Sequence, residues 1–177
     1  MTNPVGLASI GLGWWGNVLA DAAASGGKAE VVACYARTAE TREEFASKHG
    51  CKPAGSLEEI WQDPSVEGVL LATPHAVRQE LIAQAAAAGK HIFVEKPLAL
   101  TGAEARASAR AAEAGGVLLQ VGHNKRRQTG NRRLHEMLHP ESWGNSSTSR
   151  PTSRYPLPSS RTCPSGGRAP SRSRPEA

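Results

Sequence analysis

Val5-Gly6-Leu7-Ala8-Ser9-Ile10-Gly11-Leu12-Gly13-Trp14-Trp15-Gly16 is the stretch on which the fold of this chain turns. Its first half is a short, mostly apolar run of the length of a buried strand, and it stops at a glycine. Residues 17–24, rich in Ala and Leu, then have the composition of a helix. Strand, glycine-rich turn and helix open a doubly wound α/β sheet, in which the carboxyl ends of parallel strands share one crevice.

The alternation continues along the chain. Val31-Val32-Ala33-Cys34-Tyr35 is a second strand, and Thr38 is placed to cap a helix over residues 39–49. Ser56, with Glu59 three residues on, reads as a capping box for a short helix through Trp61, before a strand over residues 66–72. Residues 75–88 form an alanine-rich helix that Gly89 stops, and 91–94 form a strand. Thr101 caps a helix over 102–114, and 117–121 are again strand. A last helix over 131–138 carries Leu134, Met137 and Leu138 on one stripe. Repeated strand and helix of this kind predict a parallel sheet covered on both faces, a Rossmann-type α/β domain over residues 1–138.

The chain has 177 residues and a net charge of +5. Residues 1–138 hold 15 Lys+Arg against 14 Asp+Glu, so the excess lies in residues 139–177, with 6 against 2. That segment has ten Ser, seven Pro and six Arg, and it lacks the apolar surface needed to offset ordering entropy. It is expected to be a disordered tail. Its few aromatics do not suit base stacking, which argues against nucleic acid as a partner. Cys34, Cys51 and Cys163 are odd in number and lack C-x-x-C spacing, so free thiols are expected and a zinc site is not. Asp21 and Lys28 interrupt the first apolar stretch, and no membrane span or leader is expected; the chain reads as cytoplasmic.

Chemistry-bearing residues cluster at the strand ends. In Gly11-x-Gly13-x-x-Gly16 the first glycine permits the turn, the second lets backbone approach a pyrophosphate, and the third lets helix and strand pack closely. The helix that follows offers unpaired N–H groups, worth roughly 0.3 to 2 kcal/mol toward an anion. A dinucleotide fits, and Trp15 either lines it or packs on a neighbouring loop. After the second strand, Tyr35-Ala36-Arg37-Thr38 has no acidic residue for the ribose hydroxyls. A carboxylate about 4 Å from a 2′-phosphate would cost on the order of 4 kcal/mol at an effective dielectric of 20, whereas Arg37 can bond it. NADP is therefore favoured over NAD, unless Arg37 is simply a solvated charge.

Thr73-Pro74-His75 follows the next strand; Thr73 either caps the helix or faces the crevice, and His75 either donates to a ligand or is solvated. Glu95-Lys96-Pro97 closes the run His91-Ile92-Phe93-Val94. There the Lys96 amine can hydrogen-bond a substrate oxygen or pass a proton, with Glu95 orienting it or holding ribose. Asn124 and Arg127 offer polar groups at the last strand end, among basic neighbours that could equally form a solvated face.

Taken together, Gly11-x-Gly13-x-x-Gly16, Ala72-Thr73-Pro74, the run from Gly89-Lys90-His91 to Glu95-Lys96-Pro97-Leu98-Ala99, and Val121-Gly122-His123-Asn124-x-x-Arg127 resemble the Gfo/Idh/MocA oxidoreductases over residues 5–138. The resemblance implies NAD(P)-dependent dehydrogenase or reductase activity on sugars, inositols or related polyols. It implies pyrophosphate at Gly11, Gly13 and Gly16, and a dinucleotide near Thr73 and Pro74. Glu95 and Lys96 would reach ribose, nicotinamide and the oxygen of the reacting carbon, and Arg127 would approach substrate. The family often has Asn where His75 stands and His where Arg78 stands.

Family enzymes also carry a second α/β domain that supplies most substrate contacts, and the sequence from His139 onward does not resemble it. The chain is therefore read as truncated, binding cofactor with little or no turnover, and the family's oligomeric assembly is in question without that domain. Suitable synonymous codons, read with one cytosine restored after His139, give Pro-Gly-Glu-Leu-Gly-Lys-Phe-Val-His-Val-Glu-Ala-Asn-Phe-Ser, a helix stop followed by a strand, so a shifted reading frame is expected there. The alternative function is a dinucleotide-binding sensor or interaction module without catalysis.

Overall fold

The structure is a computed structural model and describes residues 3–138. Elements follow in the order β1 (Val5–Ile10), α1 (Trp14–Gly26), β2 (Ala29–Tyr35), α2 (Ala39–His49), β3 (Lys52–Pro53), α3 (Leu57–Gln62), β4 (Gly68–Leu71), α4 (Arg78–Ala87), β5 (His91–Glu95), α5 (Gly102–Ala114), β6 (Leu119–Gly122) and α6 (Thr129–Met137). Single 3-10 turns stand at His75–Val77 and Asn124–Arg127.

The six strands are parallel, in the order β3-β2-β1-β4-β5-β6. The chain builds outward from β1 in one direction, then returns to β4 on the other side of β1 and builds outward again. That reversal leaves a crevice beyond the carboxyl ends of β1 and β4, where ligands of open α/β sheets bind.

Side-chain alternation along the strands feeds two cores, one on each face. Ala8, Ile10, Val69, Leu71, Ile92 and Val94 meet Ile60 of α3 and Leu81, Ile82 and Ala85 of α4. On the other face Leu12 and Cys34 meet Ala20 of α1 and Phe45 and Ala46 of α2. Ile60, Leu71 and Ile82 are wholly buried, each contributing roughly 1.5–3 kcal/mol through removal of apolar surface from water. Gly115, just after α5, lets that helix end lie against α4, since a Cβ there would stand 2.4 Å from the Ala86 carbonyl oxygen. Cys34 and Cys51 are unbridged. Hydrogen bonding to Cys51 and burial push the Cys34 thiol far up, so it stays protonated.

Several boundaries differ from the sequence reading. The first helix begins at Trp14, because extended Gly13 already serves as its N-cap. Thr38 stands at the N-cap of α2, but its hydroxyl bonds that of Thr41 at 2.7 Å and caps no backbone amide. Ser56 accepts from the Glu59 amide, yet the Glu59 carboxylate reaches one residue past Ser56 to the Gly55 amide at 3.0 Å. The expected helix over 75–88 is a 3-10 turn followed by α4. The two-residue β3, held by the pairs Ala33↔Lys52 and Cys34↔Pro53, has no apolar run to announce it.

The chain divides into Met1–Asn131, which holds the sheet, and Arg132–Ala177. Of the second unit, residues 132–138 are described, with Arg133 and Glu136 paired at 3.4 Å. Leu134, Met137 and Leu138, expected as an apolar stripe, are all exposed. The expected disorder over residues 139–177 lies outside the described residues.

Candidate functional site

The register aligns five strand ends on one edge. Ile10 lies opposite both Tyr35 and Leu71, Leu71 opposite Val94, and Glu95 opposite Gly122. Whatever follows each of these residues is therefore delivered to the same rim of the sheet.

The glycine loop departs from β1 with its geometry explained by contact. Gly11 has φ +90°, and a Cβ on it would lie 2.7 Å from the Ala72 carbonyl group. Its amide donates to the Tyr35 carbonyl oxygen at 3.3 Å. A Cβ on Gly16 would stand 2.3 Å from the Gly11 carbonyl oxygen, so α1 packs against its own loop only because that residue lacks a side chain. Gly13 differs: nothing lies within 4 Å of where its Cβ would be. No side chain caps α1 and no acidic residue stands in its first turn, which leaves the first amides of the helix for an anion.

Asn17, one turn into α1, holds the loop from inside, donating to the carbonyl oxygens of Leu12 (3.3 Å) and Gly13 (3.1 Å). Its own oxygen lies 2.7 Å from Lys48 Nζ and 2.9 Å from His49 Nε2. This network escaped the sequence reading, because Lys48 and His49 are more than thirty residues away and no spacing rule joins them.

A cleft of about 540 Å³ opens beside the loop and brings Gly11, Arg37, Thr73 and Pro74 together, with Ile10 and Tyr35. Thr73 Oγ1 is buried without a hydrogen-bond partner. A buried hydroxyl left unpaired beside a cleft is the kind of group a ligand completes. Arg37 is exposed, and the backbone that carries it is held by Arg42, whose Nη1 lies 2.8 Å from the Ala36 carbonyl oxygen. His75 and Trp15 are not among the lining residues; Trp15 instead packs edge-on to Trp14, with centroids 4.6 Å apart.

Lys96 stands at the next strand end, exposed, with a cis bond to Pro97. Glu95 is 6 % exposed and turned inward, its Oε2 accepting from the Lys96 amide at 3.2 Å. Gly122 makes room for that carboxylate, since a Cβ there would lie 2.8 Å from Glu95 Oε1. Asn124 and Arg127 follow β6 on an exposed 3-10 turn.

The amino end of β5 has a different task. Gly89 takes φ +70°, Lys90 sends Nζ to the Asp63 carbonyl oxygen at 2.8 Å, and His91 Nδ1 accepts from the Leu118 amide at 3.2 Å. The run from Gly89 to Pro97 is thus structural at its start, and it ends in the exposed Lys96 on the strand-end rim. Arg78, noted in the sequence only as standing where the family often has His, is 5 % exposed and reaches three carbonyl oxygens, those of Thr73, Glu95 and Pro97. A signal for it was present: it lies on the same helical face as Leu81, Ile82 and Ala85, where a charge must find partners.

Among the described residues no helix is long and apolar enough to cross a membrane, and no group of three or more His, Cys, Asp or Glu could hold a metal ion.

A parallel sheet with one reversal of strand order, and a bare helix N-terminus beside a glycine that meets open space, make this a dinucleotide-binding Rossmann domain. The family model described as "Oxidoreductase family, NAD-binding Rossmann fold" matches residues 5–123, and the chain belongs to that Gfo/Idh/MocA family. It is 33 % identical over 135 residues to 1,5-anhydro-D-fructose reductase of Ensifer adhaerens, covering 76 % of this chain and 39 % of the reductase. It is 39 % identical over 90 residues to scyllo-inositol 2-dehydrogenase (NADP(+)) IolW of Bacillus subtilis (strain 168), covering 51 % of this chain and 24 % of that one. Among solved structures it resembles GenD2 from gentamicin A biosynthesis in complex with NAD, with a TM-score of 0.75, 32 % identity, and 80 % of this chain and 41 % of that chain covered. The chain thus spans well under half the length of these relatives.

Proposed function

We propose that the chain is the cofactor-binding part of an oxidoreductase acting on a CH–OH or C=O group of a sugar, inositol or related polyol. When bound, the nicotinamide supplies or accepts the hydride. The residues of this chain do the rest. Gly13 and the first amides of α1 hold the pyrophosphate, with Gly11 and Gly16 setting the loop. Thr73 and Pro74 wall the nucleotide cleft, with Trp15 and His75 at its margins. Arg37 binds a 2′-phosphate, so NADP is preferred. Lys96 hydrogen-bonds the substrate oxygen, Glu95 fixes the turn that carries it, and Asn124 and Arg127 face substrate.

The observation that carries this reading is the open space at Gly13, on the same strand-end rim as the unpaired Thr73 hydroxyl. Lys96 on this chain is open to water, so the positioning and water exclusion that supply much of a hydride-transfer rate are missing. Cofactor binding with little or no turnover follows. The test is a titration of the 177-residue chain with NADP and NAD, followed by Trp14 and Trp15 fluorescence and by calorimetry. Failure to bind either nucleotide overturns the reading, and robust dehydrogenase activity from the chain alone overturns the statement about turnover.

A further inference from the structure

We propose that Arg78 is a positioning residue that ties the exits of β4 and β5 together and thereby sets where Lys96 stands relative to the nucleotide cleft. The part concerning Lys96 rests on the function proposed above; the tie between the two exits does not.

Arg78 opens α4, and its Nε donates to the Thr73 carbonyl oxygen at 2.9 Å. Its Nη1 donates to the carbonyl oxygens of Glu95 and Pro97. Those two carbonyls flank Lys96 on either side, so the segment carrying the amine is held at both ends by one rigid guanidinium. The same group holds Thr73, a residue that lines the cleft. Beyond the ladder that ends at the pair Leu71↔Val94, no main-chain hydrogen bond joins the two exits among the described residues. Arg78 is what links them.

The identity of the side chain follows from this task. A planar fork with fixed donor directions can serve three carbonyls on two separate segments, whereas a lysine offers one nitrogen and a freely rotating head. Burying the cation is costly, and desolvation lowers its proton affinity while the nearby Glu95 charge partly restores it. Among the described residues Arg78 makes no ion pair within contact distance, so carbonyl dipoles carry most of its solvation. Arg78 touches the turn that bears Lys96 rather than Lys96 Nζ, which makes its action indirect.

The test compares the full 177-residue chain with Arg78→Met and Arg78→Lys in two measurements. The first is amide hydrogen exchange without ligand. Arg78→Met is expected to speed exchange about ten-fold in peptides covering residues 95–101 while β1 and β2 keep their protection, as a local opening does. Arg78→Lys is expected to fall between. Unchanged exchange at 95–101, or an equal rise across β1 and β2, overturns the tie. The second measurement pairs NADPH emission, which reports the nicotinamide half, with the dissociation constant of 2′,5′-ADP, which lacks that half. In Arg78→Met the emission change on binding is expected to be lost while 2′,5′-ADP affinity changes by less than about three-fold, because the adenosine contacts do not pass through Lys96. Wild-type emission behaviour in Arg78→Met overturns the Lys96 part. If the wild-type chain binds neither NADPH nor 2′,5′-ADP, the cofactor reading fails, and the exchange measurement still decides the tie.

Discussion

Gly11 faces the Ala72 carbonyl group so closely that a Cβ on it would lie 2.7 Å from both its carbon and its oxygen. Neither partner can yield, because Ala72 is main chain at the end of β4 and its amide is bonded to the Ile10 carbonyl oxygen at 2.9 Å. The φ of +90° adds a second penalty for any side chain. Gly11→Ala is therefore expected to destabilise the domain by about 1–3 kcal/mol. Gly13→Ala should change stability by less than about 1 kcal/mol, since the new methyl meets no protein atom and only the N-cap preference changes. It should nevertheless weaken dinucleotide binding by at least about ten-fold, because the methyl would stand in the open space where the pyrophosphate is proposed to approach. Urea unfolding and nucleotide titration of both variants separate the two effects.

Arg37 is the residue to which the proposed NADP preference is assigned. Its loss should remove a charge-assisted contact worth about 1.5–3 kcal/mol, so Arg37→Ala is expected to raise the NADP dissociation constant by about ten-fold or more and to leave that of NAD nearly unchanged. Equal affinities of the wild-type chain for the two nucleotides would contradict the preference.

Lys90 is 9 % exposed and reaches the Asp63 carbonyl oxygen at the carboxyl end of α3. Lys90→Met keeps the aliphatic stem but leaves that carbonyl without its donor, at an expected cost of about 1–2 kcal/mol. Nucleotide affinity should be unchanged, because the bond lies at the opposite end of β5 from Lys96. A loss of binding equal to that of Gly13→Ala would show the two ends of the run to be coupled.

The domain should lose stability on mild acidification through His49. Its side chain is 8 % exposed; burial, then the neighbouring Lys48 charge, lowers its proton affinity, with Asp21 opposing. A histidine depressed in the folded state binds protons more readily when unfolded, so its contribution is complete above the unfolded value near 6.5 and is lost as pH falls below it. Melting temperatures measured between pH 7.5 and 5 should decline, and His49→Gln should flatten part of that decline. A variant curve parallel to the wild type would remove His49 as the cause.

Much of this architecture was legible before any coordinates. Apolar runs punctuated by Gly11, Gly89 and the helix caps Ser56 and Thr101 announce strands and helices, because strand burial and helix capping are local in the chain. Thr101 fulfils its part fully, forming a reciprocal box with Glu104. Where local rules misplaced a boundary, a nearby competitor had won: Thr41 took the Thr38 hydroxyl, and Gly55 took the Glu59 carboxylate. The edge strand β3 was invisible because two residues paired to β2 need no pattern of their own.

The glycine spacing and the Glu95-Lys96-Pro97 ending of a buried strand disclose a dinucleotide-binding α/β domain from the chain alone, since a turn needing no Cβ and charges ending an apolar run are statements about single segments. Which of those charges face outward is another matter. Burial of Glu95 against Gly122, the grip of Arg78 on three carbonyls, and the reach of Lys48 and His49 to Asn17 arise only when segments far apart in sequence are packed side by side. Hydrogen bonds of that sort depend on distance in space, and linear order carries no record of it.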